Sequence, residues 1–204
     1  MENMNTLNQN TPNQQAQPIH VSLEFTPNPN TLKYTVNKKL LLNGALNLTS
    51  KAEADRLSPL GSKLLNVEGV AGVMIGVDFV TITKAENGDW DHVHKSSVAL
   101  IQAHLESGEK IVNEDAQSSA SSQESSESLT EIEQKICDIL DNEVRPAVAR
   151  DGGDITFDHF ENGIVYLQLK GACSGCPSST MTLKMGIEER LKQIIPEVKE
   201  VVSV

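Results

Sequence analysis

Two cysteines three positions apart, Cys173 and Cys176, stand in the stretch LKGACSGCPSSTMTLK, with Pro177 directly after the second. Paired thiols at this spacing can hold a soft metal, but a tetrahedral thiolate site needs four ligands. An iron–sulfur cluster is also usually held by four. One other cysteine, Cys137, occurs in the 204 residues. The pair is therefore half of a metal site, or no metal site at all. Four chemistries fit the residues: incidental thiols in a tight turn, a thioredoxin-like redox pair, zinc held by pooled thiolates, and an iron–sulfur cluster. The redox reading is weakened by the flanks GA and PSS and by the lack of a Trp before the motif.

The elements around the pair must present it. IVYLQLK alternates apolar and polar residues as a strand does, and PSSTMTLKMGIEERLKQII reads as a helix. Proline is favoured at the first helical position, which puts Cys176 near the N-cap. Free backbone N–H groups and the helix dipole favour negative charge there, so the thiol pKa values are expected to fall. Gly171, Ala172, Ser174 and Gly175 are small and leave room for amides to approach sulfur. The loop is expected to offer two thiolates together at a surface. Cys137 is the obvious third ligand, yet it lies beside Ile136 in an apolar helix stripe and is expected to serve as core. A second copy of the chain across a two-fold axis is one source for the missing two ligands.

Asp151-Gly152-Gly153-Asp154 precedes the first strand of this region, and its glycines are expected to serve backbone geometry. DGGDITFDHFENGIVYLQLKG predicts a hairpin turning at Asn162-Gly163. SLTEIEQKICDILDNEV predicts a helix, with Ser128 and Glu131 at capping-box spacing and Pro146 ending or perturbing it. PEVKEVVSV closes the chain as a strand, giving the order α-β-β-α-β.

Upstream, IHVSLEF and LKYTV form a predicted hairpin around TPNPNT. SPLGSKLLNV predicts a short helix capped by Ser58 with Pro59 first. GVAGVMIG and DFVTITK are β-rich, and DWDHVHKSSVALIQAHLESG is a helix stopped at Gly108. His92 and His94 sit at its start without partner ligands and read as a surface pair. Residues 1–17, rich in Asn and Gln, are expected to be a disordered tail, and 113–128, Ser-rich with four acids and no Lys or Arg, a flexible linker. The organisation is α+β: two small domains, 18–112 and 129–204, each a helix layer on a sheet, joined by a disordered acidic, Ser-rich linker.

A net charge of −11 argues against nucleic acid and against anionic lipid as partners. No apolar run approaches the roughly 20 residues of a membrane span. The start MENMNTLNQNTPNQQAQP has no basic n-region, no apolar core and no Arg, so it reads as neither a secretory signal nor a transit peptide. With few cysteines, this points to a soluble protein of the reducing cytoplasm.

RPAVARDGGDI, the hairpin after it and GACSGCPSSTMTLKMGIEERLKQIIPEV together resemble the NifU C-terminal-like domain of Nfu-type iron–sulfur carriers. FTPNPNTLKY and VEGVAGVMIGVDFVTITK resemble the Nfu N-terminal domain. The resemblance implies that Cys173 and Cys176 bind a labile [4Fe–4S] cluster, one per homodimer, and hand it to client apoproteins. It also implies that the N-terminal domain recognises clients or upstream assembly scaffolds, and that the protein is a carrier rather than an enzyme. A thiol–disulfide oxidoreductase and a zinc-bridged dimeric binding module are the rival readings.

Overall fold

The computed structural model of the chain describes residues 18–113, 129–174 and 177–204. The tail 1–17, nearly all of the linker, Ser128 and Cys176 lie outside the described residues.

The first domain is a five-stranded antiparallel sheet in the order β1-β2-β5-β4-β3, with three helices on one face. β1 (Val21–Phe25) and β2 (Thr31–Val36) form the predicted hairpin. β4 (Val70–Ile75) and β5 (Phe79–Lys84) complete its centre, and short β3 (Leu46–Leu48) forms the far edge. Leu32, Tyr34, Val73, Ile75, Val80 and Ile82 alternate toward the helices and make the core with Leu60, Leu64, Val93 and Ile101. Helix α1 (Lys51–Leu57) is an addition to the elements the sequence pattern predicts; α2 (Pro59–Leu65) is the predicted short helix, and Ser58 Oγ accepts from the Gly61 amide at 2.9 Å. Helix α3 (Trp90–Ser107) starts at Asp89, whose carboxylate accepts from two amides, and stops at left-handed Gly108. His94 is not a bare surface residue: its ring stacks on buried Tyr34 at 5.8 Å, and Tyr34 Oη lies 3.2 Å from its Nδ1.

The second domain follows the expected order. Helix α4 (Glu131–Ile139) opens on a capping box made by Thr130 and Glu133, two residues after the expected pair. The Thr130 hydroxyl accepts from the Glu133 amide while the Glu133 carboxylate accepts from the Thr130 amide. Pro146 lacks an N–H and would clash with the carbonyl four residues back. The helix responds by widening into a π-helical turn, Leu140–Val144, with Arg145 N–H donating five residues back to Leu140. It then runs on as α5 (Arg145–Arg150). β6 (Gly153–Glu161) and β7 (Ile164–Gly171) pair antiparallel across Asn162 and Gly163, both at positive φ as a tight hairpin requires. Helix α6 (Pro177–Ile194) crosses over, and β8 (Glu200–Ser203) lies parallel beside β7. Ile136, Leu140, Ile155, Leu167 and Leu191 centre the aliphatic core.

The two domains touch. The sheet face of the first domain that carries no helices lies against the turn before β6 and the loop after β7, which carries Cys173.

Candidate functional site

The site is built where β6 begins and β7 ends. Gly153 and Gly171 are register partners there. Gly152 (φ 79°) and Gly171 (φ 61°) occupy left-handed conformations, so both bends need glycine. The Gly152 carbonyl accepts from the Ala172 amide at 3.1 Å, which ties the turn to the loop. In the loop itself, Cys173 N–H donates to Lys170 O at 3.3 Å and Ser174 N–H to Gly171 O at 3.1 Å. Thr180, one turn into α6, donates its hydroxyl to the Cys173 carbonyl at 3.1 Å.

Cys173 is 6 % exposed and belongs to the core of the second domain. Its Sγ occupies the space a side chain on Gly153 would fill: a Cβ there would lie 2.2 Å from the sulfur. Gly153 is not at positive φ, so it is needed for room rather than for the backbone shape expected of it, a role that no local pattern in the sequence signals. Its pairing with Cys173 is visible only once the hairpin register places position 153 over the loop. Gly152, by contrast, serves the backbone geometry expected of it.

Burial also reverses the expected ionisation. The Cys173 thiol is pushed up to about 12, first by loss of water and then by the nearby carboxylates of Asp151 and Asp154. The helix-terminus argument fails because the sulfur lies in the core under Gly153, away from water. Asp154 is itself buried; loss of water raises its pKa, against a lowering by its backbone hydrogen bond and by Arg145, whose Nε lies 3.4 Å away. The folded thiol binds its proton more tightly than the unfolded one, whose ordinary value is 9.0. The resulting stability is whole below pH 9 and is lost as pH rises from about 9 to about 12. Urea titrations of the metal-free chain should show a loss on the order of 4 kcal/mol across that window. The Cys173→Ala chain should lack this component; identical pH profiles for the two would contradict the buried-thiol geometry.

Cys137 is half-buried on α4 rather than a full core residue, because its neighbours Ile136 and Ile139 take the inward positions. Among the described residues no group of three or more His, Cys, Asp or Glu side chains is placed to hold a metal ion, and no helix is long and apolar enough to cross a membrane.

Three side chains of the first domain donate hydrogen bonds to this site. Asn28 Nδ2 donates to the Ser174 carbonyl at 2.7 Å, between the two cysteines in sequence. Thr81 Oγ1 donates to the Gly152 carbonyl at 2.8 Å, and Lys33 Nζ to the Arg150 carbonyl at 2.9 Å. Sequence reasoning missed all three: Lys33 and Thr81 alternate with core residues as solvent-facing positions do, and Asn28 reads as a turn former.

Both domains match known families. A NifU-like domain covers residues 136–202, and the Nfu/NifU scaffold-protein N-terminal domain covers 21–108. The chain belongs to the Nfu/NifU family of scaffold proteins. It is 40% identical over 187 residues to the human protein named NFU1 iron-sulfur cluster scaffold homolog, mitochondrial, covering 91% of this chain and 72% of that one. The protein of the same name from Drosophila grimshawi is 40% identical over 184 residues, covering 90% of this chain and 61% of that one. A solution NMR structure of a NifU-like protein from Saccharomyces cerevisiae aligns with 56% of this chain and 96% of its own, at TM-score 0.43 and 23% identity.

These names overturn the cytoplasmic expectation, since the human and Drosophila relatives are called mitochondrial. Charge and cysteine content could not separate the compartments. Free thiols survive in any reducing compartment, and an organelle address is carried by a leader rather than by the folded domains.

Proposed function

We propose that the chain is a mitochondrial iron–sulfur cluster carrier, and that its cargo is a [4Fe–4S] cluster held by Cys173 and Cys176 from each of two chains. The observation that carries the reading is the pair of thiols on one loop inside the NifU-like region, half of the four a cluster takes. Domain 129–204 is the cluster-binding unit and 18–112 the unit that recognises clients and upstream scaffolds. The relatives' names, as scaffolds for iron–sulfur clusters, support a non-catalytic role. The raised pKa of Cys173 weighs against a thiol–disulfide oxidoreductase, whose attacking thiol needs a lowered one.

Binding and release are ligand exchange without redox change. When a cysteine sulfur bonds iron, its proton goes to solvent. When a client thiolate takes that iron, the carrier sulfur leaves and is reprotonated. Once the iron has passed to the client thiolate, burial of Cys173 as the neutral thiol in the cluster-free chain favours the released state. Mixing cluster-loaded chain anaerobically with an apoprotein that has an empty four-cysteine site should move the cluster in one step, read by circular dichroism in the visible range. Transfer no faster than from free iron and sulfide would contradict the carrier role.

A further inference from the structure

The helix-free face of the first sheet shows an unusual pattern for a surface that alternation marks as outward. Thr81 on β5 is 0 % exposed, and Thr31, Lys33 and Met74 on the adjoining strands are buried as well. None of the four belongs to the aliphatic core of either domain. Thr81 and Lys33 spend their polar groups on carbonyls of the second domain, at Gly152 and Arg150. Met74 meets Gly171, where an added Cβ would lie 2.7 Å from its Cε. Asn28, also buried, donates to Ser174 inside the cysteine loop. Four residues from four separate segments of the first domain thus converge on the turn and the loop that position Cys173.

We infer that the first domain is an intramolecular latch: its bare sheet face grips the cysteine loop in the cluster-free chain and must release it before a second copy can share a cluster there. The inference rests on the proposed function for its second half only. A bridged cluster requires two cysteine loops to face each other at the iron atoms, and the loop's Ser174 carbonyl is already taken by Asn28. The same loop cannot lie against the sheet of its own chain and against the loop of another. Fifteen residues, 114–128, separate the described parts of the two domains, and a chain of that length can reach up to about 50 Å when extended. The contact is also built to be reversible. Among the described residues it has three hydrogen bonds to backbone carbonyls and a thioether contact, each of modest net worth.

Full-length chains carrying Thr81→Val or Thr81→Arg provide the test. Valine keeps the shape and removes one hydrogen bond; arginine blocks the contact sterically. Hydrogen exchange, read by mass spectrometry on the cluster-free chains, reports opening. Protection at Val80 and Ile82, which face the helices, verifies that the first domain is folded. Segments 150–153 and 171–174 should exchange faster by roughly tenfold in Thr81→Val, the worth of one hydrogen bond, and more in Thr81→Arg. Cluster loading under anaerobic reconstitution should speed up in the same order. Unchanged exchange at both segments in a folded Thr81→Arg chain overturns the latch. Faster exchange with an unchanged loading rate overturns the competition with the second copy. If neither variant nor the parent chain loads a cluster, the proposed function falls and the competition with it, while the exchange result still decides the contact.

Discussion

Chains with Cys173→Ala or Cys176→Ala are expected to retain none of the reconstituted [4Fe–4S] cluster, while Cys137→Ala retains it in full. The asymmetry follows from what each sulfur does. Cys173 is held by a designed fit: the loop's own amides, the Thr180 hydroxyl and the space left by Gly153 fix its position. Cys176 stands three positions on, just ahead of α6. Losing either ligand in a site shared by two chains removes two of four thiolates at once, so the loss is total rather than partial. Cys137 rides half-buried on α4, whose inward face is made by Ile136 and Ile139. The check is visible absorbance and iron content after desalting, with far-UV circular dichroism to show that each chain is folded. Loss of the cluster in Cys137→Ala alone would reverse the assignment.

Gly153→Ala is expected to have the second largest effect. The new methyl would lie 2.2 Å from Cys173 Sγ, 3.0 Å from its Cβ and 3.1 Å from its amide nitrogen. A flexible side-chain end could swing away from the first contact, but the other two involve the start of the side chain and the backbone. The loop itself has to shift. Overpacking of this kind costs about 1–3 kcal/mol, measured by urea denaturation of the cluster-free chain. The shift also displaces one ligand of each pair, so cluster retention should fall sharply. In the double variant Gly153→Ala with Cys173→Ala the sulfur clash is gone, so part of the stability loss should return; strict additivity would show that the two residues do not touch.

Much of this fold is legible in the sequence because its strands and helices keep their periods. The β1–β2 hairpin, Ser58 as a cap, Asn162-Gly163 as a turn and the strand–loop–helix around the cysteines all follow from local chemistry that tertiary contacts do not oppose. Helix α1 escaped notice because it buries only Ala54 and Leu57 and its N-cap Ser50 makes no side-chain bond. The capping box belongs to Thr130 because the same Ser/Thr-x-x-Glu spacing recurs two residues later, and a spacing rule alone does not choose between them.

The site is legible only in part, for a different reason. Two cysteines and a Pro mark where it is, but ionisation depends on burial, and burial depends on register. Gly153 over Cys173 is a contact across a hairpin, 20 positions apart in the chain. Thr81 on Gly152 and Asn28 on Ser174 are contacts between domains. In each case the residue's own neighbours in sequence give a sufficient and blander account: a turn glycine, an outward threonine, a turn asparagine. The thiol is thus a protonated core residue in the cluster-free chain, and on the proposed function iron takes the place of its proton.

The most direct test is the stoichiometry of the loaded protein. Anaerobic reconstitution of the full chain with iron and sulfide, followed by iron and sulfide assay, Mössbauer spectroscopy and light-scattering mass, should give about four irons and four sulfides per two chains in a dimer. Four irons on a single chain, or a zinc-only dimer that takes up no iron, would contradict it.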